Sequence, residues 1–225
     1  MALDWIKQLR QFQYVPLSTA LVGLLFIHPY LYGADPGDGG RDWLLLALIA
    51  AIPGMAIVAL VEDRRRLLLG VVLGIPATIS IVLVDAAPAL VPGWILNIAP
   101  LAFYVYATVV ICYHVVTEQR VRGDTLIGAV CGYLMLGYTW GIAYATLIES
   151  EPLSIRLSTG EYATDGDLFY FSFVTLTTLG YGDIVPVTVK ARSLAMLEAI
   201  TGVLYLAVLV SRLVAMYGKN KSERS

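Results

Sequence analysis

The chain has 225 residues, of which 58% are hydrophobic and only 14% are charged, whereas about 25% of residues are charged in a soluble globular domain. This composition argues against a soluble single domain and excludes a disordered chain. The 15 Lys and Arg residues nearly balance the 17 Asp and Glu residues, so the net charge of −2 gives no reason to expect a nucleic-acid partner. The two cysteines, Cys112 and Cys131, lie in apolar runs without metal-ligand spacing and are expected to be core residues.

Apolar runs long enough to span a bilayer are the main pattern, since a helix of about 20 residues crosses the hydrocarbon core. Six runs are present, at residues 15–32, 43–61, 67–84, 94–116, 126–148 and 191–217. A segment at 167–178, between the last two, is too short to span and is expected to be re-entrant and enclosed by protein. The sequence therefore predicts an all-α integral membrane protein with six transmembrane helices and a re-entrant segment between helices five and six.

The basic residues predict which side of the membrane each loop faces. Ten lie on the side of the N-terminus: Lys7, Arg10, Arg64, Arg65, Arg66, Arg120, Arg122, Lys219, Lys221 and Arg224. Four lie on the opposite side: Arg41, Arg156, Lys190 and Arg192. Both termini are therefore expected to be cytoplasmic in a multi-pass protein of the cell membrane.

The start of the chain allows two interpretations. Lys7 and Arg10 precede the first apolar run, and small residues follow it at Gly33 and Ala34, as in a signal peptide. The length of the run favours a membrane span instead. Before it, apolar residues at helical spacing predict an interfacial anchor helix; they are Leu3, Trp5, Ile6, Leu9 and Phe12.

One motif carries the chemistry, the segment Thr177-Thr178-Leu179-Gly180-Tyr181-Gly182-Asp183. Glycine readily takes positive φ, so Gly180 and Gly182 allow consecutive carbonyl groups to face one axis. The segment resembles the selectivity filter of the tetrameric potassium channels, and the resemblance extends over about residues 126–217. It implies that four copies bind K⁺ through the carbonyl oxygens of Thr178, Leu179, Gly180 and Tyr181 and the Thr178 hydroxyl, with Gly182 completing the filter.

The same resemblance assigns supporting roles around this motif. Tyr181 is expected to pack behind the filter against Tyr170 and Phe171 on the pore helix, and the Tyr170 hydroxyl to donate to Asp183. Thr177, at the start of the motif, is also assigned to the support of the filter. Val174 stands where some relatives carry a glutamate, so inactivation linked to that glutamate is not expected.

The sixth run contains the candidates for gating. Gly202 is either a hinge or a small residue that allows close helix packing. A series on one helix face is expected to line the inner cavity, where a ring of valines closes the path by dewetting; it comprises Val203, Leu206, Val210 and Val214. Arg212 is expected to point away from the pore and to extend to the inner interface.

Glu198 is the acid placed well inside a predicted span. A buried carboxyl group must be hydrogen-bonded or protonated. We therefore expect it to bond the pore helix of its own or a neighbouring subunit, with the Thr175 and Thr177 hydroxyls as candidate partners, and to sense external pH. The alternative is a carboxylate that reaches water near the outer interface.

The sequence divides into residues 1–125, an interfacial helix and a four-helix module, and residues 126–225, the pore domain. The fourth run has no regular arginine series, and Arg64, Arg65 and Arg66 fit a cytoplasmic turn, so voltage gating is not expected. The predicted function is a potassium-selective homotetrameric channel surrounded by lipid. The alternatives are a non-selective cation channel and a non-conducting regulatory subunit.

No enzyme site is recognisable, and no resident cofactor is expected, K⁺ being the permeant ion. The chain ends shortly after Tyr217. We therefore expect no cytoplasmic nucleotide- or calcium-binding domain on this polypeptide.

Overall fold

The computed structural model describes residues 14–32, 43–59, 64–86, 93–118 and 123–222. Within these ranges the elements are α1 (Val15–Tyr32), α2 (Trp43–Ala59), α3 (Arg64–Ala86), α4 (Gly93–Thr117), α5 (Gly123–Ser150), β1 (Ile155–Leu157), α6 (Asp165–Leu176), β2 (Ile184–Pro186) and α7 (Val189–Ser222). Each of the six apolar runs forms a helix, and the short segment between the last two forms α6. The predicted interfacial helix lies outside the described residues.

Four of the helices are long and apolar enough to cross a membrane. Their spans are Arg64–Leu83, Leu96–Thr117, Gly123–Ser150 and Val189–Arg212. Shorter apolar stretches lie in α1 (Val15–Ile27), α2 (Ile49–Val58) and α6 (Gly166–Leu176). The molecule is therefore predominantly helical with several helices suited to a bilayer.

One hydrophobic core joins the first five helices. Consecutive helices pack on one another from α1 to α5, and α1 also packs on α5. The Tyr138 hydroxyl donates to the carbonyl oxygen of Leu21 at 3.0 Å, and the hydroxyl oxygens of Thr108 and Thr139 are 3.1 Å apart. Cys131 is buried in this core. The core therefore crosses the predicted boundary between residues 125 and 126.

Glycines on α5 provide space for aromatic rings from three other parts of the chain. A side chain at any of these glycines would meet a ring or its hydroxyl within about 3 Å. The pairs are Gly128–Tyr14, Gly132–Tyr205, Gly137–Phe173 and Gly141–Phe169. α5 is therefore in contact with aromatic rings of α6, of α7 and of the residue that precedes α1, and it packs against all three parts of the chain.

α6 is wedged between α5 and α7. α7 is an unbroken helix through Gly202, where an added Cβ would collide with the Leu176 carbonyl oxygen at the end of α6. Of the two interpretations of Gly202, the structure therefore supports close packing.

Candidate functional site

α6 ends in a Schellman motif that leads directly into the turn at residues 177–183, here called the signature loop. The Leu179 N–H donates to the Val174 carbonyl at 2.9 Å, and the Thr178 N–H donates to the Thr175 carbonyl at 2.9 Å. These are the two bonds that define the motif, which requires a left-handed residue between them. Thr178 is that residue, with φ of 58°.

Left-handed backbone conformations alternate along the signature loop. φ is 58° at Thr178, 56° at Gly180 and 81° at Gly182, and among the described residues Thr178 is the one non-glycine with positive φ. Leu179 and Tyr181, between them, do not have positive φ. This alternation is the backbone pattern that turns successive carbonyl groups toward one side, as expected for Gly180 and Gly182; at Thr178 the positive φ was not predicted.

The side chains of the signature loop have few neighbours within one chain. Leu179 is 54% exposed and Tyr181 is 67% exposed. Both glycines have open space around the position of a Cβ. The Leu179 and Tyr181 side chains are therefore largely uncovered by the rest of their own chain.

Tyr170 and Asp183 connect α6 to the end of the signature loop. The Tyr170 hydroxyl donates to Asp183 Oδ2 at 2.6 Å, as the resemblance implies, and the other carboxylate oxygen accepts from the Ile184 N–H at 3.1 Å. The hydrogen bond to Asp183 raises the pKa of Tyr170 to about 12. The phenol therefore remains a donor at neutral pH.

The other residues assigned to support the signature loop make contacts within their own chain. Phe171 is buried and packs edge-on against Tyr144 with 5.0 Å between ring centroids. Among the described residues no ring contact joins Tyr181 to Tyr170 or Phe171, so the expected packing is not found within one chain. Thr177 donates its hydroxyl to the Phe173 carbonyl at 2.7 Å, and the Val174 carbonyl accepts the bond that ends α6.

Glu198 is fully buried where α5, α6 and α7 meet. The Tyr144 hydroxyl donates to its Oε2 at 2.6 Å, and the Ser172 hydroxyl oxygen lies 2.5 Å from its Oε1. Ser172 also donates to the Gly137 carbonyl at 2.7 Å. The carboxyl group thus bonds α6, as expected, whereas the alternative of a carboxylate in contact with water is wrong.

The expected partners of Glu198, Thr175 and Thr177, are wrong, and the helix register explains why. Gly202 of α7 meets Leu176 of α6. Glu198 lies about one helical turn before Gly202, and Ser172 lies about one turn before Leu176. Glu198 therefore faces Ser172. Sequence reasoning missed Ser172 and Tyr144. The available signal was that each is a hydroxyl residue in an apolar helix near a buried acid.

The exposed face of α7 carries the residues predicted to line a cavity. All four are exposed in the single chain: Val203, Leu206, Val210 and Val214. Their shared exposure agrees with one continuous helix face that is not covered by the chain's own helices.

Arg212, expected to point away from the pore and to extend to the inner interface, has a hydrogen-bond partner within the chain. Its Nη2 donates to the backbone carbonyl of Glu118, just after α4, at 3.1 Å. Its Nε is buried with no hydrogen-bond partner among the described residues. Arg212 therefore ties the last turns of α7 to the end of α4, where a cation also complements the helix dipole.

The segment after α5 folds back onto the segment after the signature loop. β1 pairs antiparallel with β2, placing Arg156 opposite Val185, and the Ser158 N–H donates to the Asp183 carbonyl at 2.7 Å. Glu151 forms an ion pair with Lys190 at the start of α7. The hydrogen bond from Lys190 lowers the pKa of the Glu151 carboxyl group. The segment between α5 and α6 is thus attached, at several points, to the residues that end and follow the signature loop.

Residues 133–219 match a family described as "Ion channel". Two-pore potassium channel 4 of Arabidopsis thaliana is 49% identical over 49 residues, 22% of this chain and 17% of the relative. The A-type voltage-gated potassium channel KCND3 of Rattus norvegicus is 32% identical over 110 residues, 45% and 16% of the two chains. The inward rectifier potassium channel Kirbac3.1 of Paramagnetospirillum magnetotacticum is 43% identical over 51 residues, 23% and 17%.

The matched part of the chain spans about a sixth of the length of these relatives. No solved structure matches the chain. The matched family and relatives are ion channels and not enzymes.

Proposed function

We propose that this chain, which belongs to the pore-loop potassium channel superfamily through residues 133–219, forms a potassium-selective channel with three further copies of itself. The observation that carries the proposal is the alternating backbone of the signature loop, left-handed at Thr178, Gly180 and Gly182. The loop stands between two helices of membrane-spanning length, α5 and α7.

The alternation supplies what a dehydrated cation requires. Carbonyl oxygens of Thr178, Leu179, Gly180 and Tyr181, with the Thr178 hydroxyl, replace the water shell of K⁺ without a fixed side-chain charge. Selectivity then depends on the size of the cavity or on the number and field strength of the carbonyl dipoles. Ions pass by moving between adjacent rings, each of which holds them only weakly.

The homotetramer is supported by the surfaces that one chain leaves uncovered. A single loop supplies one quarter of each oxygen ring, so closed four-fold symmetry completes the site. Tyr181 is 67% exposed, and a neighbouring copy supplies the packing that the chain itself does not. The uncovered face of α7, from Val203 to Val214, then lines the inner cavity, and valine rings close it by dewetting.

The membrane arrangement extends the same proposal to six crossings. α1 has 18 residues and α2 has 17, lengths of about 27 Å and 26 Å that approach the ~30 Å hydrocarbon core. α6 has 12 residues, about 18 Å, and enters from the outer side without crossing. The excess of basic residues on the side of the N-terminus supports a cytoplasmic position for both termini.

The test is ion flux from purified protein in liposomes with a potassium or a sodium gradient. We expect K⁺ to pass far more readily than Na⁺, and barium or a quaternary ammonium ion to block. Comparable fluxes of the two ions would indicate a non-selective cation channel. The absence of flux from correctly assembled protein would indicate a non-conducting subunit. Either result contradicts the proposal.

Two glycine variants separate loss of selectivity from loss of stability. Gly180 and Gly160 both have positive φ and open space at the Cβ position. Alanine at either position therefore costs a similar backbone strain of about 1–2 kcal/mol. Gly160 lies between β1 and α6, outside the signature loop, so we expect Gly160→Ala to keep the selectivity that Gly180→Ala abolishes.

A further inference from the structure

Glu198, Ser172 and Gly137 form a chain of oxygen atoms in which the hydrogen atoms can be counted. Ser172 Oγ is 2.5 Å from Glu198 Oε1 and 2.7 Å from the Gly137 carbonyl oxygen. A serine hydroxyl carries one hydrogen, and a backbone carbonyl oxygen only accepts. If Ser172 donates to Gly137, the hydrogen between Ser172 and Glu198 belongs to Glu198. An ionised Glu198 would leave one hydrogen for two close acceptors.

Among the described residues, no cation pairs with Glu198 to compensate a negative charge. The side chain is fully buried, and none of the described lysine, arginine or histidine residues forms an ion pair with it. The titratable groups that face it are Tyr144, which donates to Oε2, and Tyr133, both on α5. From α6 it meets the Ser172 hydroxyl. A buried carboxylate with only neutral neighbours is costly, whereas a carboxylic acid satisfies every group present.

We propose that Glu198 is a neutral carboxylic acid that positions α6: its carboxyl O–H donates a hydrogen bond to the Ser172 hydroxyl oxygen, and its Oε2 accepts one from Tyr144. Ser172 in turn donates to the Gly137 carbonyl of α5. The hydrogen bonds of Glu198 and Ser172 together thus link α5, α6 and α7 next to the signature loop. Because α6 continues directly into that loop, this link sets where the loop backbone lies. The hydrogen-bonding scheme stands independently of the proposed function, whereas its effect on conduction depends on it.

Because the link depends on the carboxyl proton of Glu198, it is sensitive to pH, whereas a purely apolar contact would not be. Removing this proton at alkaline pH leaves the single Ser172 hydrogen for two acceptors, Glu198 and the Gly137 carbonyl, so one of the two hydrogen bonds at Ser172 is lost. Conduction is therefore expected to fall on strong alkalinisation. A glutamine at the same place keeps one donor and one acceptor at every pH.

Infrared spectroscopy of the whole protein at neutral pH tests the proton directly. Wild-type protein should show the C=O band of a protonated carboxyl group, which is retained in Glu161→Gln and absent from Glu198→Gln. Glu161 is the matched control because it is an exposed glutamate of the outer loop. This measurement requires no conduction. If the difference between wild type and Glu198→Gln is instead a carboxylate band, the proposal is overturned.

Flux measurements test the positioning role. We expect wild type and Glu161→Gln to lose K⁺ flux at alkaline pH, and Glu198→Gln to conduct normally without that loss. Glu198→Leu removes both hydrogen bonds and should lower K⁺ flux about tenfold at neutral pH. If Glu198→Leu does not assemble, Glu198→Gln still decides the question. Wild-type flux that is unaffected by alkaline pH, or an alkaline loss that persists in Glu198→Gln, would contradict the role.

Discussion

Thr178 shows how the signature loop departs from what residue preferences alone indicate. A left-handed conformation costs a residue with a Cβ about 1–2 kcal/mol, and a β-branched residue rarely adopts it. Thr178 nevertheless has φ of 58°, fixed by the hydrogen bonds that end α6. The sequence indicated left-handed conformations at Gly180 and Gly182 because glycine is the residue that most readily adopts positive φ. It did not indicate Thr178, whose conformation depends on the helix before it.

The bond between Tyr170 and Asp183 gives a prediction for a single hydroxyl. Tyr170→Phe removes the donor that lies 2.6 Å from the carboxylate, and we expect the free energy of unfolding to fall by about 1–2 kcal/mol. Thermal or chemical denaturation measures the change. Tyr162→Phe is the control, since the described structure gives the Tyr162 hydroxyl no hydrogen bond. Equal effects of the two variants would contradict a specific role for the bond.

The Glu151–Lys190 pair predicts an acid-sensitive contribution to stability. Its hydrogen bond lowers the pKa of Glu151 below the usual 4.5. A carboxyl group with a lowered folded-state pKa stabilises the fold above its unfolded-state value, and that stabilisation is lost as the pH falls through the folded-state value. The melting temperature of wild type should therefore decrease on acidification below about pH 4.5 more than that of Glu151→Gln. Identical acid profiles of the two proteins would show that the pair contributes nothing.

At the scale of elements, the contact between α6 and α7 predicts a strong effect at Gly202. Gly202→Ala places a methyl group against the backbone carbonyl of Leu176, which cannot move without shifting the end of α6. We expect a loss of about 1–3 kcal/mol in stability and disturbed selectivity. Gly23→Ala is the matched control, a helical glycine with nothing within 4 Å of the Cβ position. Denaturation and flux assays should find Gly23→Ala close to wild type; a tolerated Gly202→Ala would contradict the close contact.

The helices themselves were predictable, but several contacts between them were not. Uninterrupted apolar runs bounded by glycine, proline and charged residues locate helices well, because both length and composition are constrained. The partner of a buried acid depends on how two helices cross, so the choice of Thr175 and Thr177 over Ser172 was wrong. The pairing of β1 with β2 joins residues about 30 positions apart, and strands of three residues leave too short a pattern to recognise.

At the scale of the whole molecule, the distribution of charge predicts a weak response to voltage. α4, Gly93–Thr117, contains no lysine or arginine. Moving a charge through the membrane field supplies only about 2.3 kcal/mol per 100 mV, so steep gating requires several such charges. We expect a shallow conductance–voltage relation. Several gating charges per subunit, measured in lipid bilayers, would contradict this expectation.

Arg212 provides the matched test of that expectation. It lies at the end of the last span-length stretch and is bonded to the Glu118 carbonyl. Arg212→Gln should weaken the contact between α4 and α7 without changing the voltage dependence. A change in the steepness of the conductance–voltage relation would identify Arg212 as a voltage-sensing charge.

The single core from α1 to α5 has a consequence for the order in which the protein matures. The bond from Tyr138 to Leu21 joins residues 117 positions apart, and ribosomes add roughly 5–20 residues per second. The first helix is therefore made roughly 6–23 s before its partner on α5 exists. During that interval it must be held by lipid, by α2 or by a chaperone. If the first half of the chain were synthesised without the second half, the surface of α1 that packs on α5 would remain uncovered by protein.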